Sequence, residues 1–369
     1  MAQRVLPEWS GPDLIHVRAG QAVMSFGYNM YVRTRTQKTN QYIQRSVDRA
    51  AEADGEPCAQ RTEFPDPEAA SVAVKDKARE FGADQVGITH VDQYHVYKGA
   101  DLPHKNAIVI AVAMDYDALM QTPSTVSMEE IMRIYDATGG IAADLAGWIR
   151  GRGYPARTHT LRFDQLSMLP HAYAAGLGEL GKHGSLVNRD MGNSFRVSVV
   201  TTDLPLMEDS PRLEGIQDFC ASCQLSVNYC PGDAISHEKQ DVRGIVRWMV
   251  DTKACAPYWG SYYSCGICLE VCPWNARGFG GRFKGDFIRM IKGIDLKAWR
   301  EELKAGLQEP WTYVERPTSF PEDWRNRVKP IERGAQAGNG KPSDLAAKTS
   351  PSAGAGRVDQ GTPRGSKAR

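Results

Sequence analysis

The chain has 369 residues, 41% of them apolar, with 45 Lys and Arg against 44 Asp and Glu and a net charge of +1. That length and composition support a sizeable core in two or three domains, and the charge gives no general attraction to nucleic acid or anionic lipid. The longest apolar run, Ala107 to Met114, is far too short to span a bilayer. The first residues carry neither a basic region leading into an apolar core nor a twin-arginine pair, so a soluble cytoplasmic protein is expected.

Residues 1–64 read as an N-terminal extension. Asp66-Pro67 then has the form of an N-cap and first helical residue, opening a helix that turns Ala70, Val74, Ala78 and Phe81 inward and stops at Gly82. Gln85 to Thr89 reads as a short strand. Asn106 to Ala113 is a second, apolar on both faces and therefore central in a covered sheet. Ser127 and Glu130 suggest a capping box for a helix through Ile131, Ile134 and Tyr135. A further helix is expected after Gly139-Gly140, carrying Leu145, Trp148 and Ile149 as far as Gly151. Arg196 to Thr202 is a third strand. Strands alternating with helices argue for an α/β unit over 65–206. A cysteine-rich unit follows over 207–280. A helical segment that packs back on the core is expected over 281–333, and a disordered Gly/Ala/Ser/Pro tail over 334–369.

Seven of the eight cysteines fall between Cys220 and Cys272, and two are followed by proline. The first group is Cys220, Cys223 and Cys230-Pro231, with Ser226 where the spacing asks for a further cysteine. The second is Cys265, Cys268 and Cys272-Pro273, with Cys255 ahead of it. This resembles the doubled C-x2-C-x2-C-x3-C-P pattern of bacterial two-cluster ferredoxins, in which the cysteine before proline ligates the other cluster. Crossing those cysteines puts Cys230, Cys255, Cys265 and Cys268 on one cluster, and Cys220, Cys223 and Cys272 on the other, with Ser226 at its fourth corner. Zinc is the competing reading of C-x2-C pairs, but two endings in Cys-Pro and seven clustered thiols fit it poorly. Disulfides fit less well still in a chain without a secretory signal. Cys58, in a polar stretch, reads as a bystander. Iron in a sulfide cluster prefers thiolate to oxygen. Ser226 therefore leaves several outcomes open: a serinate-ligated four-iron cluster, a three-iron cluster, an iron held by solvent, or a plain loop residue with another group as ligand.

The stretch from Pro170 through Gly176-Leu-Gly-Glu179 to Gly184, together with Thr202 to Leu206 and Cys272-Pro-Trp-Asn275, resembles the corrinoid-dependent reductive dehalogenases. It is similar, more loosely, to the epoxyqueuosine reductases, where tryptophan usually stands at the position of Glu179. Cys255 is shared with that second branch. The resemblance implies a nitroreductase-like α/β cobalamin-binding core followed by a ferredoxin-like domain with two [4Fe-4S] clusters. It also implies a base-off cobalamin between the two. Gly176, Gly178, Gly181 and Gly184 would then let backbone lie against the macrocycle, with Lys182 near its phosphate. Dehalogenases of this type have a tyrosine after the proline matching Pro170, and a Lys or Arg three residues after the cysteine matching Cys230. Here His171 and Asp233 occupy those positions. A His–Asp pair is a coherent substitute as general acid and orienting base, and Tyr173 is the alternative proton donor.

Three functions follow from these readings. The first is reductive dehalogenation of a small organic halide, with electrons from a ferredoxin, flavodoxin or reductase passing through the clusters to cobalt. The second is reductive removal of another leaving group, as in the epoxyqueuosine branch. The third is a two-cluster electron-transfer or corrinoid-activating protein without substrate chemistry of its own. A nucleic-acid substrate is not expected at net charge +1.

Overall fold

The computed structural model describes residues 34–275, apart from 98, 162–163 and 243–244. The expected segments over 281–333 and 334–369, and the first half of the N-terminal extension, lie outside the described residues. Helix α1 (Gln37–Asp48) is followed by α2 (Pro67–Glu80), β1 (Gln85–His90), β2 (Asn106–Ala113), the short α3 (Tyr116–Leu119) and α4 (Thr125–Arg150). Then come β3 (Ala156–His159), α5 (Met168–Ala174), the small hairpin strands β4 (Glu179–Leu180) and β5 (Leu186–Val187), and β6 (Phe195–Thr202). The cysteines follow on α6 (Ile216–Ser222), α7 (Leu225–Asn228), a hairpin of β7 (Gln240–Val242) and β8 (Ile245–Arg247), α8 (Thr252–Ser261) and α9 (Ile267–Glu270).

The fold is mixed α/β around a sheet of order β1-β2-β6-β3. All its neighbours are antiparallel, although the sequence alternates strands with helices in the manner usual for parallel sheets. Strand β2 is central and covered on both faces. Its Ile108 and Ile110 meet Ala70, Val74 and Ala78 of α2 and Leu145 and Ile149 of α4. Ala107, Val109 and Ala111 face the opposite way, towards Ala172, Ala175 and Leu177 at α5. The two fully buried isoleucines are each worth about 1.5–3 kcal/mol relative to exposure. Gly87 of β1 lets the end of α5 approach, since a Cβ there would stand 2.2 Å from the Ala175 carbonyl oxygen.

Asp66 caps α2 through a 2.7 Å bond from Ala69 N–H, with Pro67 in the first turn, as its sequence suggests. Two expectations for α4 need correction. Its capping box pairs Ser124 with Ser127, not Ser127 with Glu130. Glu130 instead accepts from Asp115 N–H at 2.6 Å and grips Arg133 with both oxygens. Nor does the helix break at Gly139-Gly140; it runs unbroken for 26 residues. The glycines lie where neighbours come close: Thr160 beside Gly139, and the Arg49 guanidinium beside Gly140. Arg45 and Arg49 both bond the Asp136 carboxylate, tying α1 and the turn after it to α4. Among the described residues, no helix is long and apolar enough to cross a membrane.

Candidate metal centre

Five of the seven clustered cysteines fall into two apolar groups that cut across the order of the sequence, while Cys265 packs with Tyr229, Ile267 and Val271. Cys220 of the first motif and Cys272 of the second share a cluster with Val187, Ile216, Trp248 and Trp274. Cys230, Cys255 and Cys268 share another with Val227, Ile235 and Val250. Electrostatics divide the thiols the same way. Cys268 is influenced by Cys265, Cys255 and Cys230, with Cys272 the weakest contributor, whereas Cys272 is influenced by Cys220 and Cys223. Both short helices after the C-x2-C turns pack together: α7 lies against α9.

Burial pushes the free thiols of Cys265 and Cys272 up to about 12, and that of Cys255 to about 11. Iron binding to such buried thiols would have to displace their protons. Among the described residues, no three His, Cys, Asp or Glu side chains stand close enough to bind a single metal ion directly.

Cys220, Cys223, Ser226 and Cys272 line one small cavity together with Lys182, His183, Phe219, Pro273 and Trp274. Ser226 is buried at 6% exposure, inside this group. Three thiols and a hydroxyl lining one cavity, beside a set of four thiols, form a donor chemistry that fits iron–sulfur clusters. Replacement of Ser226 by Cys is expected to convert a three-iron EPR signal, or a serinate-ligated one, into that of an all-thiolate four-iron cluster. An unchanged spectrum would mean that Ser226 is not a corner of the cluster.

The cavity is built on the α/β unit by contacts that sequence reading did not find. Glu179 in β4 is buried, and its Oε1 accepts from the N–H groups of Glu214 at 2.6 Å and Ile216 at 3.2 Å, where α6 begins. The Gln217 side chain returns the contact by donating to the Leu180 carbonyl. Ser194 donates to Asn275, just past Cys272. At Gly192, with φ +60°, a Cβ would stand 2.2 Å from the Trp274 carbonyl oxygen.

No family model matches the chain. A tetrachloroethene reductive dehalogenase of Desulfitobacterium hafniense is 34% identical over 191 residues, covering 48% of this chain and 34% of the relative. An epoxyqueuosine reductase of Leadbetterella byssophila is 36% identical over 112 residues, covering 28% of this chain and 36% of the relative. A solved reductive dehalogenase, described with a mechanism for B12-dependent dehalogenation, superposes with a TM-score of 0.59 at 26% identity. That superposition covers 71% of this chain and 39% of the other. The chain is related to the reductive dehalogenases. It spans about a third of the length of the tetrachloroethene enzyme it matches.

Against this dehalogenase relationship, the two proton-relay positions behave differently from the expectation. His171 is 1% exposed. Its Nδ1–H donates to the Ser167 carbonyl at 2.8 Å, and its Nε2 accepts from Asp92 N–H at 3.1 Å. Both ring nitrogens are thus engaged in the neutral form, and burial lowers the pKa to about 4. The groups acting on it are His95, Asp92 and His90; Asp233 is not among them. Asp233 is exposed in the Pro-Gly-Asp turn, at φ +50°. The structure does not bring the proposed His171–Asp233 pair together. The reason is local: α5 turns His171 into the sheet, while Asp233 belongs to the loop after Cys230. Tyr173, on α5 itself, is half-buried against the core. The partly exposed His95, whose ring meets that of His171 edge-on at 6.1 Å, stands 3.8 Å from Asp92. Nothing in its sequence context singles it out.

Buried histidines also set an acid limit. Burial lowers His159 to about 3 and His171 to about 4, from 6.5. The unfolded chain binds those protons below about 6.5 while the folded one refuses them, so each site removes about 1.4 kcal/mol of stability per pH unit over that interval. Urea midpoints measured from pH 7 to 5 are expected to fall steadily. A midpoint that holds constant would show that both rings are protonated in the folded protein.

The glycines that the resemblance assigns to a corrinoid lie close to the protein's own backbone and side chains. Beside Gly176, a Cβ would stand 2.6 Å from the Ser210 carbonyl oxygen, and beside Gly178, 2.5 Å from that of Val187. Gly181 faces the His183 ring and Val187, and Gly184 faces Val250. Lys182 lines the thiol cavity. These residues pack within the α/β unit and beside the thiol cavity.

Proposed function

We propose that the protein is a reductive dehalogenase-like oxidoreductase carrying two iron–sulfur clusters. One would be held by Cys230, Cys255, Cys265 and Cys268, the other by Cys220, Cys223 and Cys272 with Ser226 at the fourth corner. The observation that carries the reading is the crossed division of the thiols between two buried groups. It is the arrangement of two-cluster ferredoxins and gives a short path for one electron at a time. The likeness to dehalogenases supports a small organic halide as substrate, with a ferredoxin, flavodoxin or reductase as donor. The B12 dependence described for the solved relative extends to this chain as part of the proposal. It rests on that likeness alone, and no step is derived through cobalt.

A specific observation favours a second reading. Because His171 is locked in the core and apart from Asp233, the protein fits an electron carrier or corrinoid-activating partner without substrate chemistry of its own. Anaerobic reconstitution with iron, sulfide and hydroxocobalamin, followed by desalting, metal analysis and EPR, separates the two. About seven or eight irons per chain are expected from the two sites. One tightly held cobalt, with halide release in a substrate screen, establishes the enzyme. Iron without cobalt leaves the carrier, and a chain that takes up no iron sinks both.

A further inference from the structure

Lys182 is one of the largest fully buried side chains, at 1% exposure, and its ammonium has no hydrogen-bond acceptor. Its backbone N–H donates to the Cys220 thiol, and its Nζ lies 5.2 Å from the centroid of the Trp248 ring. A cation–π contact offsets only part of the cost of burying an ammonium. The side chain lines the cavity formed by Cys220, Cys223, Ser226 and Cys272; after burial itself, the groups acting on it are Cys220 and Cys223, with Glu238 behind them. An ammonium with no hydrogen-bond acceptor, buried at the edge of a cradle of three thiols and a hydroxyl, is placed to meet an anion held there.

We infer that Lys182 is the charge partner of the Cys220–Cys223–Cys272 cluster, donating to its inorganic sulfide or to the Ser226 corner. Reduction adds one electron to the cluster and makes it more negative. A fixed ammonium in a low-dielectric site stabilises that reduced form and raises the reduction potential. The electron comes from the external donor, and Lys182 neither gains nor loses a proton in the step. Beside the all-thiolate cluster, this site would then be tuned by one residue from the α/β unit. The inference rests on the two-cluster reading above.

The test is an EPR-monitored potentiometric titration with dithionite of the reconstituted full chain and of its Lys182→Met and Lys182→Arg variants. The signal of this cluster is assigned by its response to Ser226→Cys. Lys182→Met is expected to weaken its reduction at least tenfold, about 59 mV for a one-electron couple. The other cluster stays in place as an internal reference, and Lys182→Arg stays close to the unaltered protein. Assembly of this cluster in the Arg variant but not in the Met variant also supports a requirement for charge. The inference is overturned if both midpoints are unchanged in Lys182→Met, if Lys182→Arg shifts as far as Met, or if neither variant assembles the cluster. Absence of iron and sulfide from the unaltered protein would instead remove the two-cluster reading itself.

Discussion

Replacing Cys272 by Ala is expected to abolish the cluster of the first motif, on Cys220 and Cys223, and to leave the second motif's cluster intact. Cys230→Ala should do the reverse. Each variant should lose roughly half of its iron, because each cluster depends on its full set of thiolates. The assignment follows from where the chain goes after each short helix. The turn after α7 carries Cys230 into the apolar group of Cys255 and Cys268, and the turn after α9 carries Cys272 to Cys220 and Trp274. Iron and sulfide analysis with EPR of the reduced variants decides the matter. Loss of the Cys265–Cys268 signal in Cys272→Ala would mean that each motif binds its own cluster.

The second large effect belongs to Glu179. Its carboxylate takes two N–H groups at the start of α6, four residues before Cys220, in a buried site. Hydrogen bonds to a charged group are worth about 1.5–3 kcal/mol each, and removing the acceptor strands the donors. Glu179→Ala is therefore expected to destabilise the protein by roughly 3 kcal/mol, or about 4 °C in Tm for a chain of this size. It should also weaken iron retention at the Cys220 site, leaving Cys265 and Cys268 loaded. Glu179→Gln keeps an acceptor oxygen in place and should lose less. Thermal denaturation with iron analysis of both variants checks this, and an unchanged Tm in Glu179→Ala would show that the carboxylate does not clamp α6.

Much of this was legible in the sequence wherever the signal is local. The apolar run of β2, the Asp66-Pro67 start of α2 and the cysteine spacing each depend on a few consecutive residues. The failures came where distant residues decide. Ala156-Arg-Thr-His159 has no strand-like alternation, and it becomes β3 because β6 offers it an edge. Two central glycines each cost a helix about 1 kcal/mol, yet α4 runs through them because a sheet strand and the Arg49 side chain pack there. Ser198 of β6, for example, donates to the Thr138 carbonyl. His171 occupies a motif position, but its fate is set by Asp92, 79 residues away. Lys182 shows the same limit, since its neighbours in sequence are glycine and histidine while its neighbours in space are thiols.

The backbone before Cys268 runs backwards for four residues. Tyr263, Ser264 and Cys265 have φ of +48°, +72° and +45°, and Gly266 follows at +83°. For L-residues other than glycine, this left-handed conformation costs roughly 1–2 kcal/mol each. The three together are a strained segment that its surroundings must hold. In the proposed two-cluster reading, iron at Cys265 and Cys268 would be one such restraint, and oxidative loss of that cluster would free the segment to unwind. Damage to the redox centre would then surface as a protease-sensitive site near residue 264.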